Sequence, residues 1–128
     1  MNLLLDTHVL LWAAGSPEQL SEKAWALIEN PNNNLYFSVA SLWEVTIKND
    51  LGRADFQVDP HLLRRGLIEN DYQELSITAH HVLGVSHLPP IHKDPFDRML
   101  IAQAEYEGFL LLTVDQAVLQ YPGPVKGV

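Results

Sequence analysis

Residues 2–6 read NLLLD, three leucines in succession closed by an acid. A short apolar run of this kind, without polar alternation, predicts a strand buried on both faces. THVLLWAA at 7–14 follows directly as a short helix, stopping near Gly15. LYFS at 35–38 and FLLLT at 109–113 repeat the buried-strand pattern. Short apolar strands alternating with helices predict an α/β fold with a mainly parallel central sheet, covered on both faces.

The rest of the chain fits around these runs. SPEQ at 16–19 is a capping signature and introduces a helix reaching about residue 29. NPNNN at 30–34 is a turn-rich loop. A helix is predicted over 41–51, closed by Gly52, with an irregular stretch at 53–58. Asp59-Pro60 caps a helix to about residue 69, and residues 72–77 hold a third short strand. Residues 78–85 are helical, and SHLPPIHK at 86–93 is a loop. Asp94-Pro95 opens a helix that runs to residue 107 and stops at Gly108. A short helix at 115–121 and an edge strand at 125–128 complete the pattern.

With 128 residues the chain is expected to form a single domain, residues 1–128. Sixteen acids against eight bases give a formal charge of −8, which argues against a broad basic surface for nucleic acid. A local patch, or a divalent cation over clustered acids, still holds a phosphate on such a chain. No apolar run approaches the roughly 20 residues of a membrane span. The N-terminal MNLLLD lacks a basic region and a cleavage site, so export is not expected and the cytoplasm is the expected location. There is no cysteine, which excludes disulfides and thiolate metal sites.

Chemistry-bearing acids fall where the elements meet. Ligands of open parallel sheets bind outside the carboxyl ends of the strands. Asp6 ends one strand and Asp115 follows another, each at the start of a helix. Either residue also serves simply as an N-cap. Glu44 fits a capping box from Ser41 and an i,i+4 pair with Lys48. Asp94, before Pro95, is the expected cap of its helix, which makes Asp97 the third helical residue. Leu100, Ile101 and Ala104 share the face of Asp97, so its carboxylate lies at the exposed end of an apolar stripe. It pairs there with Arg98, with first-turn amides, or with a cation shared with Asp6 and Asp115. Carboxylates gathered at one sheet edge repel one another unless a cation binds or protons are taken up. Oxygen ligands without cysteine or patterned histidine suit Mg²⁺ or Mn²⁺ over zinc.

Four stretches then carry a resemblance: LLLDTH at 3–8, SVASLWEVTIK at 38–48, HKDPFDRMLIAQA at 92–104 and LLTVDQAV at 111–118. In this order and spacing the chain resembles the PIN-domain ribonucleases, and more narrowly the VapC-type toxins of toxin–antitoxin pairs, over nearly its whole length. The resemblance implies a three-layer α/β/α sandwich and a Mg²⁺- or Mn²⁺-dependent endoribonuclease. It carries the family's acidic quartet onto Asp6, Glu44, Asp97 and Asp115. Asp6, Asp97 and Asp115 would be the main metal ligands, with Glu44 acting directly or through a water. The implied reaction is attack of metal-activated water on an RNA phosphodiester, leaving a 5′-phosphate and a 3′-hydroxyl. Thr113 stands where the family often has a hydroxyl, and is a secondary candidate. Many relatives carry Asn, Ser or Thr two residues after the first acid, where this chain has His8. Three roles stand open for His8: contact with phosphate, support of a ligand acid, or packing. The resemblance also implies a cognate antitoxin that covers the acids, and a homodimer.

Two other readings are weighed against this one. Another Mg²⁺-dependent phosphohydrolase is disfavoured because Asp6-Thr7-His8 lacks the second acid of the D-x-D pattern. A non-catalytic PIN-like binding module is disfavoured because no acid of the quartet is missing. His80, His81, His87 and His92 match no zinc spacing and are expected on surfaces and loops. Lys48, Arg53, Arg64, Arg65 and Arg98 are candidate RNA contacts, with solvation or ion pairing the simpler expectation. Trp12, Trp25 and Trp43 are expected in core or interface packing rather than base stacking.

Overall fold

A computed structural model describes residues 1–128. Its five strands are β1 Asn2–Leu5, β2 Asn34–Ser38, β3 Gln73–Leu75, β4 Leu110–Thr113 and β5 Val125–Gly127. They form one sheet in the order β3-β2-β1-β4-β5, and every pair is parallel. Six helices cover it: α1 Thr7–Gly15, α2 Glu22–Glu29, α3 Val39–Asp50, α4 Pro60–Glu69, α5 Ala79–Val85 and α6 Pro95–Glu107.

The strand pleat explains the unbroken leucines of β1. Successive side chains point to opposite faces, so a strand with helices on both sides has no polar face. Leu4 lies beside Leu111 and joins a core with Leu100, Ile101 and Ala104 of α6. Leu3 and Leu5 face the other way, into a core with Leu112, Phe37, Val9, Val45 and Leu67. Leu3, Leu4 and Leu5 are fully buried, and each contributes roughly 1.5–3 kcal/mol by leaving water. The result is a three-layer α/β/α sandwich.

Strand order also fixes where a ligand would sit. The chain starts at β1, moves outward to β2 and β3, then crosses to β4 and β5. The direction of winding reverses between β1 and β4, and the crevice beyond their carboxyl ends is the usual ligand position. Asp6 follows β1 and donates its N–H to the Leu112 carbonyl at 3.0 Å. Asp115 lies just beyond β4.

Three local expectations are corrected. The SPEQ stretch opens only a 3₁₀ turn, Pro17–Gln19. Leu20 is extended and packs into the core, so α2 starts afresh with Ser21 as its cap, accepting from Ala24 N–H at 3.0 Å. Helix α3 starts at Val39, directly at the end of β2, with Ser38 as the cap. Ser41 is therefore inside the helix, where it accepts a hydrogen bond from Thr7 Oγ1 at 2.9 Å, and the expected capping box with Glu44 does not form. Residues 115–121 form a turn and the 3₁₀ segment Val118–Gln120 instead of an α-helix: the Asp115 carboxylate caps the turn, accepting from Ala117 and Val118 N–H, and Pro122 and Pro124 leave no room for a helix to continue. No helix is long and apolar enough to cross a membrane.

Candidate active site

Each acid of the quartet reaches the crevice from a different element. Asp6 caps α1, its Oδ1 accepting from Val9 N–H at 2.8 Å. Its Oδ2 accepts from the hydroxyl of Thr113, which is fully buried at the end of β4. The same Thr113 oxygen accepts from Asp115 N–H at 3.0 Å, so one side chain ties Asp6 to the backbone of Asp115. Asp115 uses Oδ1 to hold its own turn, at 2.8 Å from Ala117 N. Glu44 sits about a turn and a half into α3. Asp97 is in the first turn of α6, behind the Asp94 cap.

These four side chains line one cavity of about 520 Å³, together with Lys48 and Asp94. Thr7 and His8 lie on its wall, and the His8 ring also packs on Trp12 at 4.3 Å. A larger groove of about 820 Å³ lies elsewhere, lined mainly by apolar side chains such as Trp12, Trp25 and Leu62. The candidate acids line the smaller cavity and not the groove.

Electrostatic strain marks the acidic cavity. Asp97 is pushed up from the ordinary 3.8 to about 6, chiefly by burial and then by the charge of Asp94, with Asp115 and Glu44 adding to it. Its hydrogen bond with His92 opposes the shift. Asp6 is also raised by burial, against the Thr113 and Val9 hydrogen bonds that favour its charged form. Glu44 is 7% exposed, and its Oε2 pairs with Lys48 Nζ at 2.7 Å. Its Oε1 is buried and has no hydrogen-bond partner. A buried carboxylate oxygen without a donor costs about 1–3 kcal/mol or more, so an orphan here signals a missing positive group. Four acids lining one cavity, with one buried oxygen left over, have the donor chemistry of a divalent-cation site.

The site has members that the sequence presented differently. His92 was expected on a loop surface, and its Nε2 is 2.8 Å from Asp97 Oδ2. Ligand atoms of His92, Asp94 and Asp97 lie within 4.8 Å of one another. The signal was the position of His92 just ahead of the Asp94 cap, but only the folded loop brings it back onto Asp97. His81 departs further from expectation. It is fully buried, because its Nδ1 accepts from Thr78 N–H and its Nε2 meets Glu107 at 3.1 Å. Arg98 is not free for RNA, since its guanidinium donates to loop carbonyls and to the Tyr121 hydroxyl. Arg53 and Arg64 are ion-paired with Asp55 and Glu74. The tryptophans are not core residues. Leucine, valine and phenylalanine already fill both sheet faces, which leaves Trp25 41% and Trp43 59% exposed.

Comparison with known proteins agrees with this fold. The PIN domain family model matches residues 3–123. No curated protein sequence matches the chain. Among solved structures, VapBC2 of Rickettsia felis bound to a DNA fragment from its promoter superposes with a TM-score of 0.75 at 14% identity, covering 100% of this chain and 99% of that one. DNA-bound VapBC of Salmonella typhimurium gives 0.68 at 14% identity, covering 99% and 98%. VapBC-1 of nontypeable Haemophilus influenzae gives 0.63 at 18% identity, covering 100% and 97%. These likenesses are in fold, and the family match spans nearly the whole sequence. The chain belongs to the PIN-domain family.

Proposed function

We propose that this protein is a divalent-metal-dependent endoribonuclease, acting as the toxin of a toxin–antitoxin pair in the cytoplasm. The observation that carries the reading is the shared cavity of Asp6, Glu44, Asp97 and Asp115, with Glu44 Oε1 buried and unpaired. An all-oxygen donor set of this kind suits Mg²⁺ or Mn²⁺. Asp6, Asp97 and Asp115 would hold the ion, and Glu44 would reach it directly or through water. When bound, the ion supplies Lewis acidity toward a phosphodiester and lowers the pKa of water.

The protein's own groups do the rest. Thr113 fixes the Asp6 carboxylate by its hydrogen bond and takes up the N–H of Asp115. Lys48 neutralises Glu44 and is the ammonium at the cavity wall, able to meet a phosphate oxygen as substrate enters. Asp94 keeps α6 in place and adds negative charge beside Asp97. As the resemblance to PIN-domain ribonucleases implies, hydrolysis would leave a 5′-phosphate and a 3′-hydroxyl. The protein would act as a single domain and as a homodimer, restrained by an antitoxin that places a basic side chain among the acids. The solved neighbours are VapBC toxin–antitoxin complexes, which supports that partner class.

The test is cleavage of end-labelled RNA by purified protein, with Mg²⁺ or Mn²⁺ and with chelator. Internal cleavage that needs the ion, stops with chelator and is lost in Asp97→Asn supports the reading. Binding without cleavage would leave a docking module. Activity confined to phosphomonoesters would make it a phosphatase.

A further inference from the structure

Residues 86–93 join α5 to α6 without regular structure, yet they are held at several points. Arg98 of α6 donates to the carbonyls of Pro89 at 2.9 Å and Val85 at 3.1 Å. It also donates to the hydroxyl of Tyr121 at 3.0 Å. Tyr121 is buried, and its oxygen accepts from His92 N–H at 2.8 Å while its O–H donates to the His92 carbonyl at 3.2 Å. A phenolic oxygen has one proton and room for two acceptor bonds, so this arrangement uses its full capacity. Both backbone polar groups of His92 are thus fixed by one buried hydroxyl, itself fixed by Arg98.

The consequence is seen at the imidazole. Nε2 of His92 lies 2.8 Å from Oδ2 of Asp97. An ionised carboxylate only accepts, so the proton of that bond sits on Nε2. The nitrogen that holds this proton has no lone pair for a metal. Asp97 Oδ2 is engaged by the bond, which leaves Oδ1 free of it in a cavity that Asp115 and Glu44 also line. A carboxylate near the start of a helix otherwise rotates freely about its side-chain bonds and would turn away from three neighbouring acids.

We propose that His92 is a positioning residue, held by the Arg98–Tyr121 clamp so that its Nε2–H orients the Asp97 carboxylate toward a divalent cation in the acidic cavity. The proposal rests on the reading of that cavity as a metal centre. Groups that orient metal ligands typically change affinity by about 10- to 100-fold when removed.

Mn²⁺ alone is the probe. Its dissociation constant is measured by EPR titration of the full-length wild type and of His92→Ala, His92→Gln and His92→Asn, with thermal melting to follow folding. Pulsed EPR reads whether nitrogen is bonded to the bound ion. Glutamine places an N–H at the topological position of Nε2, whereas asparagine is one bond too short. The expected result is tight binding by wild type without directly bonded nitrogen, weakening of about tenfold or more in the Ala and Asn variants, and recovery in Gln. Ala and Asn variants that bind as tightly as wild type overturn the positioning role and leave the metal centre intact. So does equal weakening in all three variants. A directly bonded nitrogen that disappears in His92→Ala makes His92 a ligand instead. A wild type that takes up no Mn²⁺ overturns the metal centre, and the positioning role with it.

Discussion

Asp94 and Asp97 stand three residues apart and answer to different forces. Asp94 accepts from Phe96 N–H at 2.8 Å and from Asp97 N–H at 3.1 Å, which is the work of a cap. Asparagine makes the same bonds, so Asp94→Asn is expected to change stability by no more than about 0.5 kcal/mol. It also removes a charge that disfavours ionised Asp97, and metal-dependent cleavage should persist. Asp97→Asn relieves burial and repulsion from three like charges, so the metal-free variant should be at least as stable as wild type. Its cleavage should fall by more than about 100-fold, beyond the range typical of groups that only support a ligand. Urea melts and RNA cleavage on both variants check the pair. Equal loss of activity from both would mean that the roles are wrongly divided. The separation was legible because it is local: proline after Asp94 fixes which residue caps. The His92–Asp97 bond was not, because it depends on Arg98 and Tyr121 shaping a loop from two distant positions.

Among the elements, α6 was read nearly to the residue and α3 was not. Helix α6 has unambiguous punctuation, Asp94-Pro95 at its start and Gly108 at its end, the latter left-handed at φ 73°. The α3 region offers two serines, and local rules favour Ser41. The fold chooses Ser38, whose hydroxyl bonds Gln103 Oε1 at 2.6 Å across the core, so that β2 runs into α3 without a loop. This shift puts Glu44 in the second turn, facing the cavity instead of capping its own helix. Tertiary context also changes Arg98. An arginine next to Asp97 invites an electrostatic reading, but its fork binds carbonyls at the end of α5 and in the following loop. Lysine presents a point charge and cannot reach Val85, Pro89 and Tyr121 together. Arg98→Lys should therefore destabilise the protein by roughly 1–3 kcal/mol, the cost of leaving partly buried polar groups unpaired. RNA affinity of the folded fraction should be unchanged at saturating metal. A variant of wild-type stability that loses RNA binding would return Arg98 to the substrate side.

At the scale of the whole molecule, folding itself creates the charge problem. Buried parallel strands were legible from their leucines, but strand order was not, since parallel neighbours are joined by long crossovers that leave no local signal. The order β3-β2-β1-β4-β5 puts the ends of β1 and β4 side by side and so brings Asp6, Glu44, Asp97 and Asp115 together. In the unfolded chain Asp6 and Asp97 are apart and ionise near 3.8, whereas folded Asp97 ionises near 6 and Asp6 is shifted the same way. Between those values the folded state holds more protons than the unfolded state, so stability falls as pH rises through the window. Below it both states are protonated, and the penalty is absent. Above about pH 6 the Asp97 part of the penalty is complete, and a divalent cation offsets it by binding only the folded form. At 100 times its dissociation constant such an ion adds about 2.7 kcal/mol. Thermal melting in chelator should therefore show Tm falling between about pH 4 and pH 6, and Mn²⁺ should raise Tm strongly near neutral pH and little near pH 4. A chelated Tm that climbs through the window, or a Mn²⁺ effect independent of pH, would mean that these carboxylates do not share one charged cavity.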